Sequence, residues 1–359
     1  MVDPLAVGSV IGILGGGQLG RMLSVAAARL GFRCHIFEPG ANPPAGHVAD
    51  RVTSASYDDG DALVAFGQSV DVVTYEFENV PAAALDALES VVLIRPNRDA
   101  LRVSQDRLTE KDFLSGVGLR VAPYAAVDDA ASLAAALDTV GTPSILKTRR
   151  FGYDGKGQVR ILDGRDAAMA LAEMAGRASI LEAFIDFSSE VSVIAARSIT
   201  GDVACFDPGE NVHRDGILRT TTVPARIGDA VRGDALDIAG AILEALDYVG
   251  VLGVELFVTS DGLLVNEVAP RVHNSGHWTQ NGCVIDQFEQ HIRAITGWSL
   301  GEGNRHVDVV MENLIGDDIE KIAGFALDPS AALHLYGKAE TRPGRKMGHV
   351  NRIVGPATR

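Results

Sequence analysis

The chain has 359 residues, 47% of them hydrophobic and 22% charged, with 47 acidic against 32 basic side chains and a formal charge of −15. That length predicts two or three domains with real apolar cores, and the balance of residue types excludes a disordered chain, a collagen or a coiled coil. So acidic a surface repels nucleic acid and anionic membranes; neither is expected as a partner, and any phosphate-bearing ligand needs a local basic cluster.

No apolar run approaches the ~18–20 residues that span a bilayer. The first residues lack a basic region, and Cys34, Cys205 and Cys283 are odd in number and far apart, which suits neither a disulfide framework nor a zinc site. The expectation is a soluble cytoplasmic protein.

Residues 6–14 form an apolar, β-branched run that stops at glycines and predicts a buried parallel strand. Leu19, Met22, Leu23, Ala26 and Leu30 recur at helical spacing, predicting a helix over 18–30 that Gly31 ends. A strand at 33–38 completes a β-α-β unit, and 70–75 and 91–94 are further strands, the unit closing near Arg95-Pro96-Asn97. Residues 98–114 read as one helix. A strand at 144–148, a glycine-rich loop at 152–157, a strand at 158–162, a helix at 166–176 and a strand at 179–182 follow. From Glu190 antiparallel signals dominate: 190–197 alternates, and 250–268 reads as a long hairpin.

Five stretches point to chemistry. Gly15-Gly16-Gly17-Gln18-Leu19-Gly20, between strand and helix, fits G-x-G-x-x-G, and Glu38 ends the next strand. Backbone N–H groups at a helix start hold anions, so this is a dinucleotide site, a phosphate site for another ligand, or a turn that only lets helix and strand pack closely. Around the second loop stand Lys147, Arg149, Arg150, Lys156 and Arg160 against Asp154 alone. A mobile glycine loop carrying cations suits a polyphosphate, and no Gly-Lys-Ser/Thr of a Walker A loop is present.

In the 250–268 hairpin, a three-residue loop Ser260-Asp261-Gly262 centred on Asp261 puts Glu255 opposite Glu267. Facing carboxylates repel unless a cation sits between them, and hard oxygen ligands suit Mg²⁺. The fourth stretch, 269–278, is a polar loop in which Arg271, His273, Asn274 and Ser275 could orient a small planar anion. The fifth is the tail, with Lys338, Arg342, Arg345, Lys346, Arg352 and Arg359 against Glu340: a solvated end or a second phosphate site.

The stretches GGGQLGRM (15–22), YEFENV (75–80), QDRLTEKDFL (105–114), GYDGKGQ (152–158), GVELFV (253–258), NEVAPR (266–271), HNSGHWT (273–279) and GRKMGHVN (344–351) resemble, in order and along the whole chain, the ATP-grasp ligases. Among these they are most similar to the N5-carboxyaminoimidazole ribonucleotide synthetases of purine biosynthesis. Val272 departs from the proline usual there, which should alter loop stiffness more than chemistry.

The resemblance implies a fold of α/β and α+β type in three parts. These are a doubly wound parallel-sheet domain at 1–104, a small lid at 105–189, and a C-terminal antiparallel domain with a basic tail at 190–359. It implies that ATP, bicarbonate and 5-aminoimidazole ribonucleotide give ADP, phosphate and N5-carboxyaminoimidazole ribonucleotide through carboxyphosphate, with Mg²⁺ and a homodimer.

Residue by residue, it implies that Arg107, Lys147 and the loop Gly152, Tyr153, Asp154, Gly155, Lys156, Gly157, Gln158 hold the ATP phosphates. Glu182, Ala183, Phe184 and Ile185 lie along adenine, Glu190 takes the ribose, and His213 lines the pocket. Glu255 and Glu267 hold the metal with Asn266 nearby, while Arg271, His273 and Asn274 hold bicarbonate. Gly17, Gln18, Leu19, Glu76, Asp154 and Arg271 take the aminoimidazole ribonucleotide, with Lys346 and Arg352 on its phosphate. Two other readings remain open at this point: a nicotinamide-dependent oxidoreductase resting on 15–20 and Glu38, and a nucleotide-binding module without chemistry.

Overall fold

The computed structural model describes residues 3–152 and 155–357. Tyr153 and Asp154, both expected in the site, lie outside the described residues, as does the tail residue Arg359. Three sheets organise the chain, each built from consecutive strands.

The first holds β1 (Val10–Leu14), β2 (Arg33–Phe37), β3 (Arg51–Thr53) and β4 (Val72–Tyr75), all parallel in the order β3-β2-β1-β4. Ile11 and Ile13 pack toward α1 (Gln18–Arg29), and Leu14 toward α2 (Gly60–Gly67) and α3 (Ala82–Glu89). Covering on both faces is why β1 reads as an unbroken apolar run. The strand expected at 6–14 starts only at Val10, because Ala6 O accepts from Ser9 N in a turn where Gly8 has φ +91°. The strand expected at 91–94 is a single bridge, Val73 to Ile94; the amides of Val91 and Val92 still bond back to Leu88 O at the end of α3.

The single helix expected at 98–114 is two, α4 (Arg98–Ser104) and α5 (Arg107–Gly116). Asp106 separates them by accepting from the amides of Leu108 and Thr109, a cap that starts a new helix without disturbing the apolar periodicity.

The second sheet, antiparallel, holds β5 (Tyr124–Val127), β6 (Ser144–Thr148), β7 (Gln158–Ile161) and β8 (Ser179–Ala183) in the order β5-β8-β6-β7. With α6 (Ala130–Val140) and α7 (Ala167–Met174) it closes a small core around Leu133, Leu146, Ile161, Met174 and Leu181.

The third sheet has nine antiparallel strands: β9 (Ser189–Arg197), β10 (Val203–Cys205), β11 (Gly209–Arg214), β12 (Ile217–Val223), β13 (Gly250–Thr259), β14 (Gly262–Ala269), β15 (Val307–Ile315), β16 (Ala331–Leu335) and β17 (Lys346–Pro356). Val191, Val193, Leu252, Val254 and Leu256 pack on one face against α8 (Asp229–Ala245). On the other, Ile194, Ala196 and Val251 share a core with Phe288, Ile292 and Ile295 of α10 (Gln287–Thr296), which follows the single turn α9 (Thr279–Gly282). Strand alternation puts Glu190, Ser192 and Glu255 on that second face, nearer the lid.

The β13–β14 hairpin corrects one expectation and rescues another. Thr259 pairs with Gly262, so the loop is the two residues Ser260 and Asp261, and Leu256 pairs with Val265. In a regular ladder Glu255 would then face Asn266, and Glu267 would point with Val265 into the α8 core. The register shifts between Glu255 and Leu256. Asn266 is the extra residue of a β-bulge, Val268 returns to the core beside Val265, and Glu267 comes round to face Glu255.

Candidate active site

Glu255 and Glu267 therefore stand opposite each other on the sheet face below the lid. Burial, and after it the charge of Glu267, pushes the Glu255 carboxyl up to about 8. Burial raises Glu267 too, but Arg107, and then Lys147 and Lys111, outweigh it and hold Glu267 below the usual range. Arg107 Nη1 donates to Glu267 Oε2 at 3.1 Å. One proton or one cation is what this pair lacks. Among the described residues no cluster of three or more His, Cys, Asp or Glu could hold a metal unaided. Two carboxylates suit an Mg²⁺ that keeps waters and phosphate oxygens as its remaining ligands, so the residues present fit that ion.

Above the pair lies a second set of charges. Lys147 Nζ, at the end of β6, donates to Glu182 Oε2 at 3.0 Å, and Lys111 Nζ lies 3.7 Å from the same oxygen. Burial opposes ionisation of Glu182, but Lys147, Lys111 and Arg107 hold it down at about 2, whereas burial pulls the Lys147 ammonium below its usual range. To one side, Glu190 and His213 Nδ1 form an ion-pair contact at 2.5 Å, and the carboxylate raises His213 against the opposing effect of burial.

The 271–276 loop presents the anion-binding groups. Arg271 Nε donates to Glu78 Oε2 at 2.7 Å and Nη1 to Val272 O at 3.1 Å, which fixes the guanidinium plane. His273 Nδ1 accepts from Ser275 Oγ at 2.8 Å, and Ser275 Oγ in turn accepts from Ser192 Oγ at 2.7 Å. An accepting Nδ1 leaves the proton on Nε2, 3.8 Å from Glu255 Oε1. Burial, then Arg271 and Lys346, press His273 down to about 3, so the ring is neutral. Gln287 clamps its backbone, accepting from His273 N at 2.9 Å and donating to His273 O at 2.8 Å. A Cβ on Gly253 would lie 2.7 Å from His273 Cβ, so only glycine lets the loop lie this close to β13. Both amide atoms of Asn274 are buried without a protein partner, a group that awaits a ligand. His277 is structural: it is buried, within 3.0 Å of Gln287 Nε2, and stacked on His349 at 4.6 Å.

The N-terminal glycine turn differs from expectation. Glu76 fills it, accepting from Gly17 N and, at 2.7 Å, from Gly20 N, while Glu38 accepts from Gly16 N and Gly40 N, each at 2.9 Å. Donors that would cradle a phosphate or a dinucleotide already hold carboxylates, and Glu38 is committed to backbone rather than to a ribose. The pyrophosphate site on which the oxidoreductase reading rests is thus taken. Gln18 and Leu19 open α1 beside this turn, and Glu76 links it to the site through the charge of Arg271.

The lid cations are only partly available. Arg149 is bound through Nε to both Asp106 oxygens at 3.0 Å, Arg150 to Gln105 Oε1 at 3.0 Å, and Arg160 lies 5.5 Å from the Phe184 ring. From that stretch Lys147 reaches the cluster around Glu182. In the loop, Gly152 and Gly157 pack on Thr148, Lys156 and Gln158 are exposed, and a Cβ on Gly155 would lie 3.2 Å from Gly216 Cα. The loop thus rests against the β11–β12 turn. Beyond Glu182, the amides of Ala183 and Phe184 bond to the carbonyls of Pro123 and Pro143, and Phe184 and Ile185 continue the chain toward β9.

In the tail, Lys346 lies near enough for its charge to lower Glu255 and His273. Arg352 does not join it: Nη1 is 3.3 Å from Glu312, Nε is 3.8 Å from Asp328, and the guanidinium covers Phe325 at 5.1 Å. The two basic residues lie six positions apart on β17, with the register shift between Leu314 and Ile315 intervening. Three groups of the site have no assigned role in the sequence reading: Glu78, Glu110 and Lys111. They lie within YEFENV and QDRLTEKDFL, and their one sequence signal is charge on a helix or loop next to apolar positions, which a solvated surface shares.

A three-part chain whose lid and sheet carry cations around facing carboxylates is an ATP-grasp enzyme. Residues 112–288 match the ATP-grasp domain, 9–105 the ribonucleotide synthetase preATP-grasp domain, and 309–356 the phosphoribosylaminoimidazole carboxylase C-terminal domain. An N5-carboxyaminoimidazole ribonucleotide synthase of Brucella melitensis biotype 1 is 57% identical over 352 residues, 97% of either chain. A crystal structure of an ADP complex of N5-carboxyaminoimidazole ribonucleotide synthetase superposes with TM-score 0.95 at 42% identity, covering 98% of this chain and 94% of that one. The Aspergillus clavatus synthase, in complex with ADP and 5-aminoimidazole ribonucleotide, superposes with TM-score 0.91 at 31% identity over 97% and 94%. The chain belongs to the N5-carboxyaminoimidazole ribonucleotide synthase family and is an ATP-dependent ligase.

Proposed function

We propose that the protein carboxylates 5-aminoimidazole ribonucleotide with bicarbonate at the expense of ATP, in purine biosynthesis. The observation that carries this reading is the placement of the Arg271–His273–Asn274 anion loop directly beside the Glu255–Glu267 pair, with His273 Nε2 3.8 Å from Glu255. Arg107 and Lys147 bind the β- and γ-phosphates, with the 152–158 loop closing above them. Glu190 and His213 take the ribose side, and the 182–185 segment lies along adenine. Glu255 and Glu267 would hold Mg²⁺, with Asn266 beside them. Bound there, the ion would neutralise phosphate charge and orient the γ-phosphoryl group.

Arg271 and Asn274 orient bicarbonate so that one oxygen attacks the γ-phosphorus in line. The bond to the β–γ bridging oxygen breaks, leaving ADP and carboxyphosphate. The exocyclic amine of the ribonucleotide then takes the carboxyl carbon, releasing phosphate and a proton. Closure of the lid excludes water, which would otherwise hydrolyse the mixed anhydride. Glu76 and Lys346 flank the ribonucleotide side, with Arg352 a phosphate partner only if its guanidinium leaves Glu312. The same reading divides the chain at 104/105 and 189/190 and has it act as a homodimer in the cytoplasm. No helix among the described residues is long and apolar enough to cross a membrane.

A coupled ADP-release assay tests the function. Release that requires both bicarbonate and 5-aminoimidazole ribonucleotide is expected; release indifferent to the ribonucleotide would overturn the reading. Lys346→Ala is expected to raise KM for the ribonucleotide several-fold with KM for ATP nearly unchanged; equal changes in both would remove the tail from the site.

A pH dependence follows from the raised Glu255. Below about pH 8 its carboxyl holds a proton that a cation must displace. Apparent Mg²⁺ affinity in the presence of ADP should therefore rise with pH by up to about tenfold per unit and level off above 8. Calorimetry in buffers of different ionisation enthalpy would show the released proton, and an affinity flat across that range would contradict the shared-cation geometry.

A further inference from the structure

The bulge at Asn266 needs a cause, and α5 supplies it. Lys111 is 1% exposed, yet its ammonium donates to Asn266 O at 2.7 Å and Val265 O at 3.3 Å, and approaches Glu182 at 3.7 Å. Three contacts match the three protons of an ammonium. Glu110, 3% exposed, accepts from Val268 N at 2.7 Å through Oε1. A bulge leaves backbone groups without ladder partners, and buried ones must be satisfied elsewhere. Here the two carbonyls before the shift meet a cation and the amide after it meets a carboxylate, from adjacent residues of one helix. One turn earlier, Arg107 takes the Glu267 carboxylate itself.

We infer that Lys111 and Glu110 are positioning residues that hold β14 in its bulged register and thereby turn Glu267 from the α8 core to face Glu255. Its consequence for catalysis rests on the reading of Glu255 and Glu267 as the metal pair; its geometry does not. The bulge buries Val268 beside Val265 but costs ladder bonds that other groups must replace, so without the clamp its margin over the regular register narrows. That register would bring Asn266 to face Glu255.

The test uses Mn²⁺ with ADP, titrated by electron paramagnetic resonance, and amide hydrogen exchange of residues 262–269 in the metal-free protein. Lys111→Met is expected to speed exchange across 262–269 and to weaken Mn²⁺ binding roughly 10–100-fold, the range for partners that orient a metal ligand. KM for 5-aminoimidazole ribonucleotide should stay unchanged. Wild-type exchange in Lys111→Met would overturn the inference. So would faster exchange with undiminished Mn²⁺ binding, provided Glu267→Gln in parallel loses the ion. If Glu267→Gln binds Mn²⁺ as the wild type does, the metal reading fails, and the clamp then stands or falls on exchange alone. Should Lys111→Met not fold, Glu110→Ala, which removes the Val268 acceptor, is read by the same two measurements, and wild-type values there overturn the inference.

Discussion

Glu267→Gln is expected to lower turnover by ~100-fold or more while the protein stays folded. A metal at a transferring phosphoryl group contributes several kcal/mol of charge stabilisation, and each ~1.4 kcal/mol is tenfold in rate. Glutamine keeps the volume and an oxygen that can still accept from Arg107, now at 3.1 Å, but loses the charge that completes the pair with Glu255. The loss also relieves Glu255 of its like-charged neighbour, so the remaining carboxyl should titrate lower than in the wild type. Steady-state ADP release at saturating Mg²⁺, beside a thermal melt, measures both effects. Near-normal turnover would end the metal assignment.

Arg271→Lys is the second large effect. The guanidinium is locked by Glu78 at 2.7 Å and Val272 O at 3.1 Å, leaving its remaining N–H groups aimed in a fixed direction. An ammonium cannot hold Glu78 and a planar anion in that geometry at once. Removing one aligned donor to developing charge costs roughly 10²–10³-fold in kcat. We expect a loss of that size with a raised KM for bicarbonate, while the thermal shift produced by ATP persists because Arg107 and Lys147 are untouched. An unchanged kcat/KM for bicarbonate would take Arg271 out of the clamp.

Much of this was legible from residue order because it is carried locally. The apolar runs of β1 and β2, the helical spacing of α1 and the glycine-rich lid loop are set by neighbours a few positions away. Chemically committed stretches such as 266–279 identify themselves by residue type. Where the reading erred, a long-range partner decided. The run 98–114 keeps helical periodicity through Asp106, yet Asp106 caps a new helix there and binds Arg149 across the lid. The glycine turn at 15–20 has every feature of a phosphate nest, but Glu76, 59 residues after Gly17, fills it.

The Glu255–Glu267 pair shows the division most sharply. The sequence placed the two carboxylates on adjoining strands of one hairpin, and the apolar pattern Leu263, Val265, Val268 already held the change of spacing that a bulge requires. A three-residue loop predicted the right opposition for a reason the structure does not bear out, since the turn has two residues and the register shifts further in. Strand alternation alone could not choose between Asn266 and Glu267 as the partner of Glu255. Burial of Val268 favours the bulge, and Lys111 and Glu110, more than 150 positions away, make it tenable, because unpaired backbone groups at a bulge can be buried only where another element brings polar groups to meet them.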